Sequence, residues 1–431
     1  MSLISQLFLD TLRRTERADA GALRDYQFSL LEQLARHAAL QTTFYRERLR
    51  SLFVGENAHS GEFVPNAWRE VPILDRAMAA CAGPSLRALE IPLAASSFVD
   101  SVSTGAKGIA LAHRISAFST IASMCARNRM WEAHNVDLFT TCARIESSDE
   151  LDARPPLGAK LGNWNMTGRL NRGRQMDRSV SLDMQWTWLK RLRPVYLEST
   201  PDVICGLLDL VDEDSDGLSL KGIFTRGGEV DEELQRRAAD SFGCSLIDSY
   251  DLRETGSLAC QCPQGAYHAQ SEIALIEVLR RDGENARPGE RGRIIATPFY
   301  QYATPLLRYD TGDEALVGEK CGCGRAGLTL TKIYGRRRRL FDFGEGRRVA
   351  GTRLAQIAST LQARRIELRQ TEQRRIEILY CDGDASQEAE AINLVVKAFD
   401  VQGLLVTARA EALSERTYPE DPYVPLASRT A

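Results

Sequence analysis

From about residue 95 onward, short β-rich runs alternate with stretches of helical periodicity, and this alternation limits the folds open to the chain. Strand-like runs include "VDLFTTCARI", "GIFTRGGEV" and "SLIDSYDL", and helical patterns occur at 113–130, 183–192 and 230–242. A helix between two strands returns the chain to the same end of the sheet, so the two strands run parallel. The sequence therefore predicts an α/β protein with a largely parallel sheet.

The flanking parts of the chain have other patterns. Residues 1–93 form a mainly helical lead-in. The runs "IALIEVL" and "GRIIATPFY", joined by a turn-rich segment, predict a hairpin in a second, mixed sheet. After Arg336 a helix, two strands, a helix and a strand follow, which suits a small α+β domain. We therefore expect a large domain over 1–336 and a small C-terminal domain over 337–431.

Composition excludes several classes of partner. The chain has 431 residues, 43% of them hydrophobic and 26% charged, which is typical of a globular protein. A net charge of −3 gives no support for nucleic-acid binding, which usually requires a basic face. No apolar stretch approaches the roughly 20 residues of a membrane span, and the N-terminus lacks the pattern of a secretory signal. We expect a cytoplasmic protein; its oligomeric state is open, and a homodimer is one candidate.

The segment "SVSTGAKG" (101–108) concentrates small hydroxyl residues, glycine and lysine after an apolar run. Backbone N–H groups and hydroxyls in such a segment can converge on phosphate oxygens, to which a lysine adds positive charge. The spacing differs from the common nucleotide-binding loop. A plain surface loop is therefore the alternative interpretation.

Three further motifs are each weak evidence for a functional site when taken alone. In "FTRGGEV" (224–230) a Gly-Gly pair after a strand lets a flat ligand lie against bare backbone. In "SYDLRETGS" Glu254 follows a strand end, where it could hold Mg²⁺ or pair with Arg253. In "LLRYDTGDEA" Asp313 follows a Thr-Gly turn, where it could bind ribose hydroxyls or be held by its own turn.

Together, and in this order, the motifs resemble the adenylate-forming enzymes, in particular the phenylacetate–CoA ligase-like branch with its capsule-biosynthesis-type (CapK-like) members. The resemblance covers about residues 60–410 and is strongest at 221–336, with "TRGGEV", "YDLRETG", "CPQGAYH", "TPLLRYDTGD" and "CGCGR". It implies the acyl-CoA synthetase fold: a large N-terminal domain with parallel and mixed sheets, and a small, mobile C-terminal domain.

The resemblance also implies a role for individual residues. The loop that wraps the ATP β- and γ-phosphates corresponds to Ser101, Ser103, Thr104, Gly105 and Lys107. The segment that lies against adenine and the acyl pocket corresponds to Gly227, Gly228 and Glu229. Further implied roles are stacking near adenine by Tyr250, Mg²⁺ binding by Glu254, ribose binding by Asp313, and a place near the domain hinge for Arg336.

In that family a small carboxylic acid first joins AMP, with release of pyrophosphate from ATP. The acyl group then passes to a thiol, usually that of CoA; a carrier-protein thiol or an amine is the alternative acceptor here. Cofactors implied are ATP/AMP and Mg²⁺. Four tryptophans either line an aromatic-acid pocket or belong to the core: Trp131, Trp164, Trp186 and Trp188.

Two close cysteine pairs occur among the ten cysteines, and in a reducing compartment such pairs indicate metal rather than a disulfide. A closed tetrahedral zinc site needs four ligands. Cys262, His268, Cys321 and Cys323 supply them, with Cys260 as a rival ligand; buried thiols and a surface histidine are the alternative. The branch that the chain resembles often has zinc at these positions, where the ion would be structural.

The chain departs from the family pattern at several points. Val102 stands where the family prefers glycine and Asp251 stands in place of the usual glycine after the tyrosine. Relatives have a C-terminal lysine that reaches the α-phosphate, but no lysine occurs here after Lys397, and Asp421 lies near its expected place. Three hypotheses follow. In the first, adenylation proceeds without that lysine, helped by the arginine run 336–339. In the second, the tail is replaced because the enzyme activates an unusual acid or hands the acyl group to an amine or a carrier thiol. In the third, the protein binds nucleotide or acyl group without turnover.

Overall fold

A computed structural model describes residues 3–55, 58–92, 97–104, 109–148, 152–161, 164, 172–211, 218–335, 340–344, 347–350, 357–358, 360–363, 365–399, 401–411 and 423–424. Two compact units divide the chain. Unit 1 comprises Met1–Ser103, Leu111–Val136 and Ser249–Tyr334; unit 2 comprises Thr104–Ala110, Asp137–Asp248 and Gly335–Ala431. Within the described ranges, no helix combines the length and the apolar character that crossing a bilayer demands.

The described helices are α1 (Leu3–Thr15), α2 (Ala20–Gln41), α3 (Arg76–Ala82), α4 (Ala117–Ala133), α5 (Leu182–Leu192), α6 (Pro201–Val211), α7 (Glu232–Phe242) and α8 (Glu388–Phe399). The helical lead-in and the helices predicted at 183–192 and 230–242 are confirmed. The helix predicted at 113–130 begins late, because the Ser116 hydroxyl caps α4 by accepting the Ser119 N–H. Residues before Ser116 are extended instead.

The described strands are β1 (Phe53–Val54), β2 (Glu62–Phe63), β3 (Phe98–Thr104), β4 (Ala110–Ser116), β5 (Cys142–Glu146), β6 (Ala159–Lys160), β7 (Arg174–Asp177), β8 (Tyr196–Ser199), β9 (Gly222–Arg226), β10 (Leu246–Leu252), β11 (Gly256–Gln261), β12 (Tyr267–Ala269), β13 (Ala274–Leu279), β14 (Arg291–Pro298), β15 (Tyr309–Val317), β16 (Thr329–Tyr334), β17 (Leu340–Asp342), β18 (Arg348–Ala350), β19 (Arg365–Glu372), β20 (Arg375–Cys381), β21 (Leu405–Ala410) and β22 (Tyr423–Val424).

Unit 1 contains an antiparallel run of strands in the order β13-β14-β15-β16-β12-β11-β10. The predicted hairpin is β13 and β14, which pair from Ala274↔Pro298 to Leu279↔Arg293. Alternate residues of these strands form a buried cluster that includes Leu258, Ile294 and Leu330. This packing fixes the strands that carry Tyr250 and Asp313 and the turn that carries Glu254.

Unit 2 contains the predicted parallel sheet, in the order β9-β8-β5-β7, with the short strand β6 antiparallel at its edge. The side chains of Ala143, Ile145, Leu197 and Ile223 share one cluster with apolar residues of α5, α6 and α7. Side chains alternate between the two faces of a strand, so these helices cover one face of the sheet. The predicted α/β class is confirmed.

Residues after Gly335 form a separate sheet within unit 2, in the order β21-β20-β19-β22. Its core contains Phe341, Leu368, Ile378 and Phe399. The strand, strand, helix, strand order is as predicted, whereas most of the preceding predicted helix lies outside the described residues. The boundary at 336/337 and the mobility of the C-terminal domain stay predictions.

The Leu207→Ala substitution tests the core beneath the parallel sheet. Leu207 on α6 is fully buried in the cluster shared by the sheet and its helices. We expect the free energy of unfolding to fall by about 3 kcal/mol, because truncation removes apolar contacts and leaves a cavity. Urea unfolding measures it. Leu210→Ala, at a partly buried position of the same helix, is the matched control; equal losses at both positions would contradict this packing.

Candidate active site and metal centre

Glu254 lies in the turn between β10 and β11 and is buried. Its Oε1 accepts a hydrogen bond from Arg76 Nη1 at 2.6 Å and another from the Tyr309 hydroxyl at 3.1 Å. The Gln301 side-chain amide donates to the Glu254 backbone carbonyl at 2.9 Å. The carboxylate is therefore fixed in place by Arg76, and not by the neighbouring Arg253 that the sequence offered as a partner.

The start of α3 places Arg76 beside this carboxylate. Asp75 caps the helix by accepting the Met78 N–H at 2.7 Å. Just before the cap, Leu74 pairs with Tyr309 as an isolated parallel bridge, which ties the helix to β15. Arg76 then reaches three groups at once, since its Nη2 also donates to the Ser103 hydroxyl at 2.7 Å.

Charge and burial set the protonation of this cluster. Burial by itself would raise the pKa of Glu254, but the Arg76 guanidinium and His113 outweigh it and lower that pKa to about 2. The same ion pair raises the pKa of Arg76 against the opposing effect of burial. Burial lowers the pKa of His113. At neutral pH the cluster therefore contains one carboxylate, one guanidinium and a neutral imidazole.

Tyr250 and Asp313 form a second polar contact in unit 1. The Tyr250 hydroxyl, on β10, donates to Asp313 Oδ2, on β15, at 2.7 Å. Burial, followed by the Asp313 charge, raises the pKa of Tyr250 well above its usual value, so the hydroxyl stays protonated. Gly312 has φ +79°, a conformation that favours glycine, and its N–H donates to Asp310. The aspartate held by its own turn is thus Asp310, while Asp313 contacts Tyr250.

The segment predicted to wrap phosphates is partly a strand. Ser101, Ser103 and Thr104 lie at the end of β3, and the Ser103 side chain is buried against Arg76. The expectation of a loop is therefore corrected for residues 101–104. Gly105 and Lys107 lie outside the described residues.

The Gly-Gly segment belongs to unit 2. Gly227 follows β9 with φ +75°, so the chain turns there as predicted. Gly228 and Glu229 follow it, before α7, with no regular structure. Arg336, the rest of the arginine run and Asp421 lie outside the described residues. All four tryptophans discussed above are buried, and Trp186 and Trp188 belong to the core cluster beneath the sheet, which favours the core interpretation.

Four predicted metal ligands converge in unit 1. The ligand atoms of Cys262, His268, Cys321 and Cys323 all lie within 4.8 Å of one another. Cys262 Sγ and Cys321 Sγ are 3.7 Å apart, and Cys323 Sγ lies 3.3 Å from His268 Nε2. A tetrahedral zinc ion with Zn–S bonds of about 2.3 Å separates two sulfurs by about 3.8 Å. The donor set and its spacing fit zinc.

Cys260, the rival ligand, is engaged elsewhere. Its sulfur accepts from the Gln270 amide at 2.9 Å and from Arg325 Nη1 at 3.8 Å. Burial, together with the charges of Arg325 and Arg129, lowers the pKa of His268 to about 4. The imidazole is therefore neutral at pH 7, as a metal ligand must be.

Sequence inspection missed Arg76, Tyr309 and His113. Tyr309 lies inside the "LLRYDTGDEA" motif, so its place in the sequence could have identified it as a candidate site residue. Arg76 lies 178 residues before Glu254 and His113 lies on β4, and neither belongs to a local motif. Only the fold brings them to the carboxylate.

Comparison with known proteins supports the fold. No family model matches the chain. A phenylacetate-coenzyme A ligase of Thermus thermophilus is 34% identical over 110 residues, a stretch that spans 25% of this chain and 24% of that protein. The match thus covers about a quarter of the relative's length.

Solved structures match over most of the chain. A 2-hydroxyisobutyryl-CoA ligase in complex with 2-HIB-AMP and CoA, in the thioesterification state, has a TM-score of 0.61 at 17% identity, covering 96% of this chain and 91% of that chain. An open conformation of that ligase gives a TM-score of 0.59 at 16% identity, covering 94% and 92%. This chain has the fold of the adenylate-forming CoA ligases. The predicted fold is confirmed, and the capsule-biosynthesis-type branch stays a prediction.

The low pKa of Glu254 makes a testable contribution to stability. The carboxyl is ionised in the folded protein down to about pH 2, whereas its ordinary pKa is 4.5. Its stabilising effect is therefore complete above pH 4.5 and is lost as the pH falls toward 2. We expect wild type to lose about 2 kcal/mol relative to Glu254→Gln between pH 5 and 3. Denaturant unfolding at both pH values measures this difference; parallel curves would show that Glu254 is not ion-paired.

Proposed function

We propose that this chain activates a carboxylic acid with ATP, as an acyl-AMP, and transfers the acyl group to CoA. The fold supports this, because the ligases that share it include one solved with an acyl-AMP and CoA. The observation that carries the proposal is the buried cluster of Glu254, Arg76, Ser103 and Tyr309. It joins the predicted metal ligand to the predicted phosphate-binding strand.

In the first step an oxygen of the substrate carboxylate attacks the α-phosphorus of ATP. The bond from that phosphorus to the bridging oxygen breaks, and pyrophosphate leaves with the electron pair. Bringing an anionic carboxylate to an anionic triphosphate is the main obstacle. Mg²⁺, when bound, would neutralise phosphate charge, and Glu254 is the residue that would hold it.

Arg76 is a cation beside the predicted phosphate strand, held by Glu254 and Ser103. We assign to it part of the role that a C-terminal lysine has in relatives, namely to offset negative charge as the reaction proceeds. A fixed cation in a buried site acts without reorganising during the reaction. Asp313, oriented by Tyr250, is assigned to the ribose hydroxyls.

In the second step the thiolate sulfur of CoA attacks the acyl carbon. The acyl–phosphate oxygen bond breaks, AMP leaves with the electron pair, and a thioester forms. A carrier-protein thiol or an amine would follow the same course.

A second candidate function is nucleotide binding without turnover. The ion pair between Arg76 and Glu254 favours it, because a metal ion would have to share or displace this pair. This protein would keep the site and the fold but release no pyrophosphate.

An assay of pyrophosphate release from ATP in the presence of Mg²⁺, with a panel of carboxylic acids, distinguishes the two candidate functions. We expect acid-dependent release that Glu254→Gln lowers by roughly a hundredfold, since charge stabilisation is lost. Asp313→Ala should raise the KM for ATP by about tenfold, because hydrogen bonds to the nucleotide are lost.

The control for both variants is Glu314→Gln. Glu314 follows Asp313 on β15 and forms an exposed ion pair with Arg291, so this change should leave the rates unaltered. If the protein binds ATP but releases no pyrophosphate with any acid, nucleotide binding without turnover is favoured. If Glu254→Gln keeps full activity, the assignment of Glu254 as the metal ligand is wrong.

We also propose that Cys262, His268, Cys321 and Cys323 hold a structural zinc ion. Two of these ligands flank the turn after β11 and two lie between β15 and β16. Four protein ligands leave no open coordination position, so the ion would fasten the two loops rather than act on substrate.

Metal analysis of the purified protein tests the zinc site. We expect about one zinc per chain, and Cys321→Ser should lose it together with thermal stability. Cys205→Ser, which changes an exposed cysteine far from the four ligands in sequence, is the control. A zinc content that is the same in both variants would sink the assignment.

A further inference from the structure

The parallel sheet of unit 2 bears an unusual row of charged side chains. Ala143, Ile145 and Leu197 face the helices α5 to α7. Because side chains alternate along a strand, Arg144, Glu146 and Glu198 face the other way.

Buried parallel strands are usually apolar on both faces. Charged residues on this second face therefore need a reason.

These charges form one connected network. Arg144 Nη2 lies 2.6 Å from Glu198 Oε2, and Arg226 Nη1 lies 2.8 Å from Glu198 Oε1. Arg226 Nη2 also pairs with Glu146 Oε2. Side-chain exposure rises along the network, from 6% at Glu198 to 16% at Arg226 and 38% at Glu146. The Glu146 end is therefore the most solvent-accessible part of the network.

The network lies where a ligand is expected in such a sheet. The chain runs from β5 to β7 on one side, then crosses to β8 on the other side of β5. Ligands bind outside the carboxyl ends of the strands at this topological switch point. Glu146 ends β5 and Arg226 ends β9, directly before Gly227.

Hydrophobic residues could fill this place without loss of stability, since desolvation offsets most of what a buried ion pair contributes. The network of charged side chains at the switch point instead favours a polar ligand. A carboxylate is an acceptor only, so what it binds must donate a hydrogen bond.

We infer that Glu146, held by Arg226, selects acids that have a hydrogen-bond-donating substituent, a hydroxyl or an ammonium group, over plain alkyl or aryl acids. This inference rests on the proposed acid activation. It names the class of acid used in the proposed reaction, and Glu146 is the residue that determines this specificity.

The test compares matched acids in the pyrophosphate assay: butyrate with its hydroxy and amino derivatives at carbons 2, 3 and 4, and phenylacetate with 4-hydroxyphenylacetate and 4-(aminomethyl)phenylacetate. For the preferred substituent we expect kcat/KM to exceed that of the parent acid by roughly a hundredfold or more, because the parent acid lacks the hydrogen bond that the substituent donates to the site. Glu146→Gln should lower that preference by about tenfold for a hydroxyl and by more for an ammonium group.

Asp209→Asn is the matched control, because Asp209 pairs with Arg237 at 2.9 Å and is 35% exposed, much like Glu146. It should change no preference. The inference would be overturned if the protein used the parent acids as well as every derivative. It would also be overturned if Glu146→Gln lowered kcat/KM equally for all acids.

Acid binding measured by calorimetry, without turnover, separates this inference from the proposed function. If no acid releases pyrophosphate, the proposed function fails. The inference then stands if a substituted acid binds wild type more tightly than its parent and Glu146→Gln removes the difference, and it falls if no such difference exists.

Discussion

The buried ion pair between Arg76 and Glu254 is the interaction on which the account of this protein depends. A carboxylate at 5% exposure is costly unless a cation compensates it. Arg76 compensates it, and the same guanidinium contacts Ser103 and is near the Tyr309 hydroxyl. A helix start, a strand end and a turn between strands are thereby held together around one negative charge. That charge stays ionised throughout the physiological range, as a metal ligand must.

Polar groups occupy different kinds of position in the two units. In unit 1 the turns between antiparallel strands hold Glu254, and the four predicted zinc ligands lie in or beside such turns. In unit 2 charged side chains lie at the carboxyl ends of parallel strands, at the point where the strand order reverses.

Much of this architecture could be predicted from the sequence, because strand and helix periods are local. The parallel sheet, the hairpin of β13 and β14 and the four converging metal ligands follow from runs and spacings of this kind. Arg76 could not be predicted, since its partner is 178 residues away. The ion pairs between β5, β8 and β9 could not be predicted for another reason. No single residue of these strands is unusual in the sequence, and only the strand register aligns Arg144 with Glu198.

Calorimetric titration of ATP into the well-folded wild-type chain, with and without Mg²⁺, tests the central claim most directly. The account predicts binding of one equivalent that tightens when Mg²⁺ is present, because Glu254 then shares the metal with the phosphates. Absence of any heat of binding, with every acid supplied, would contradict it and leave only the fold.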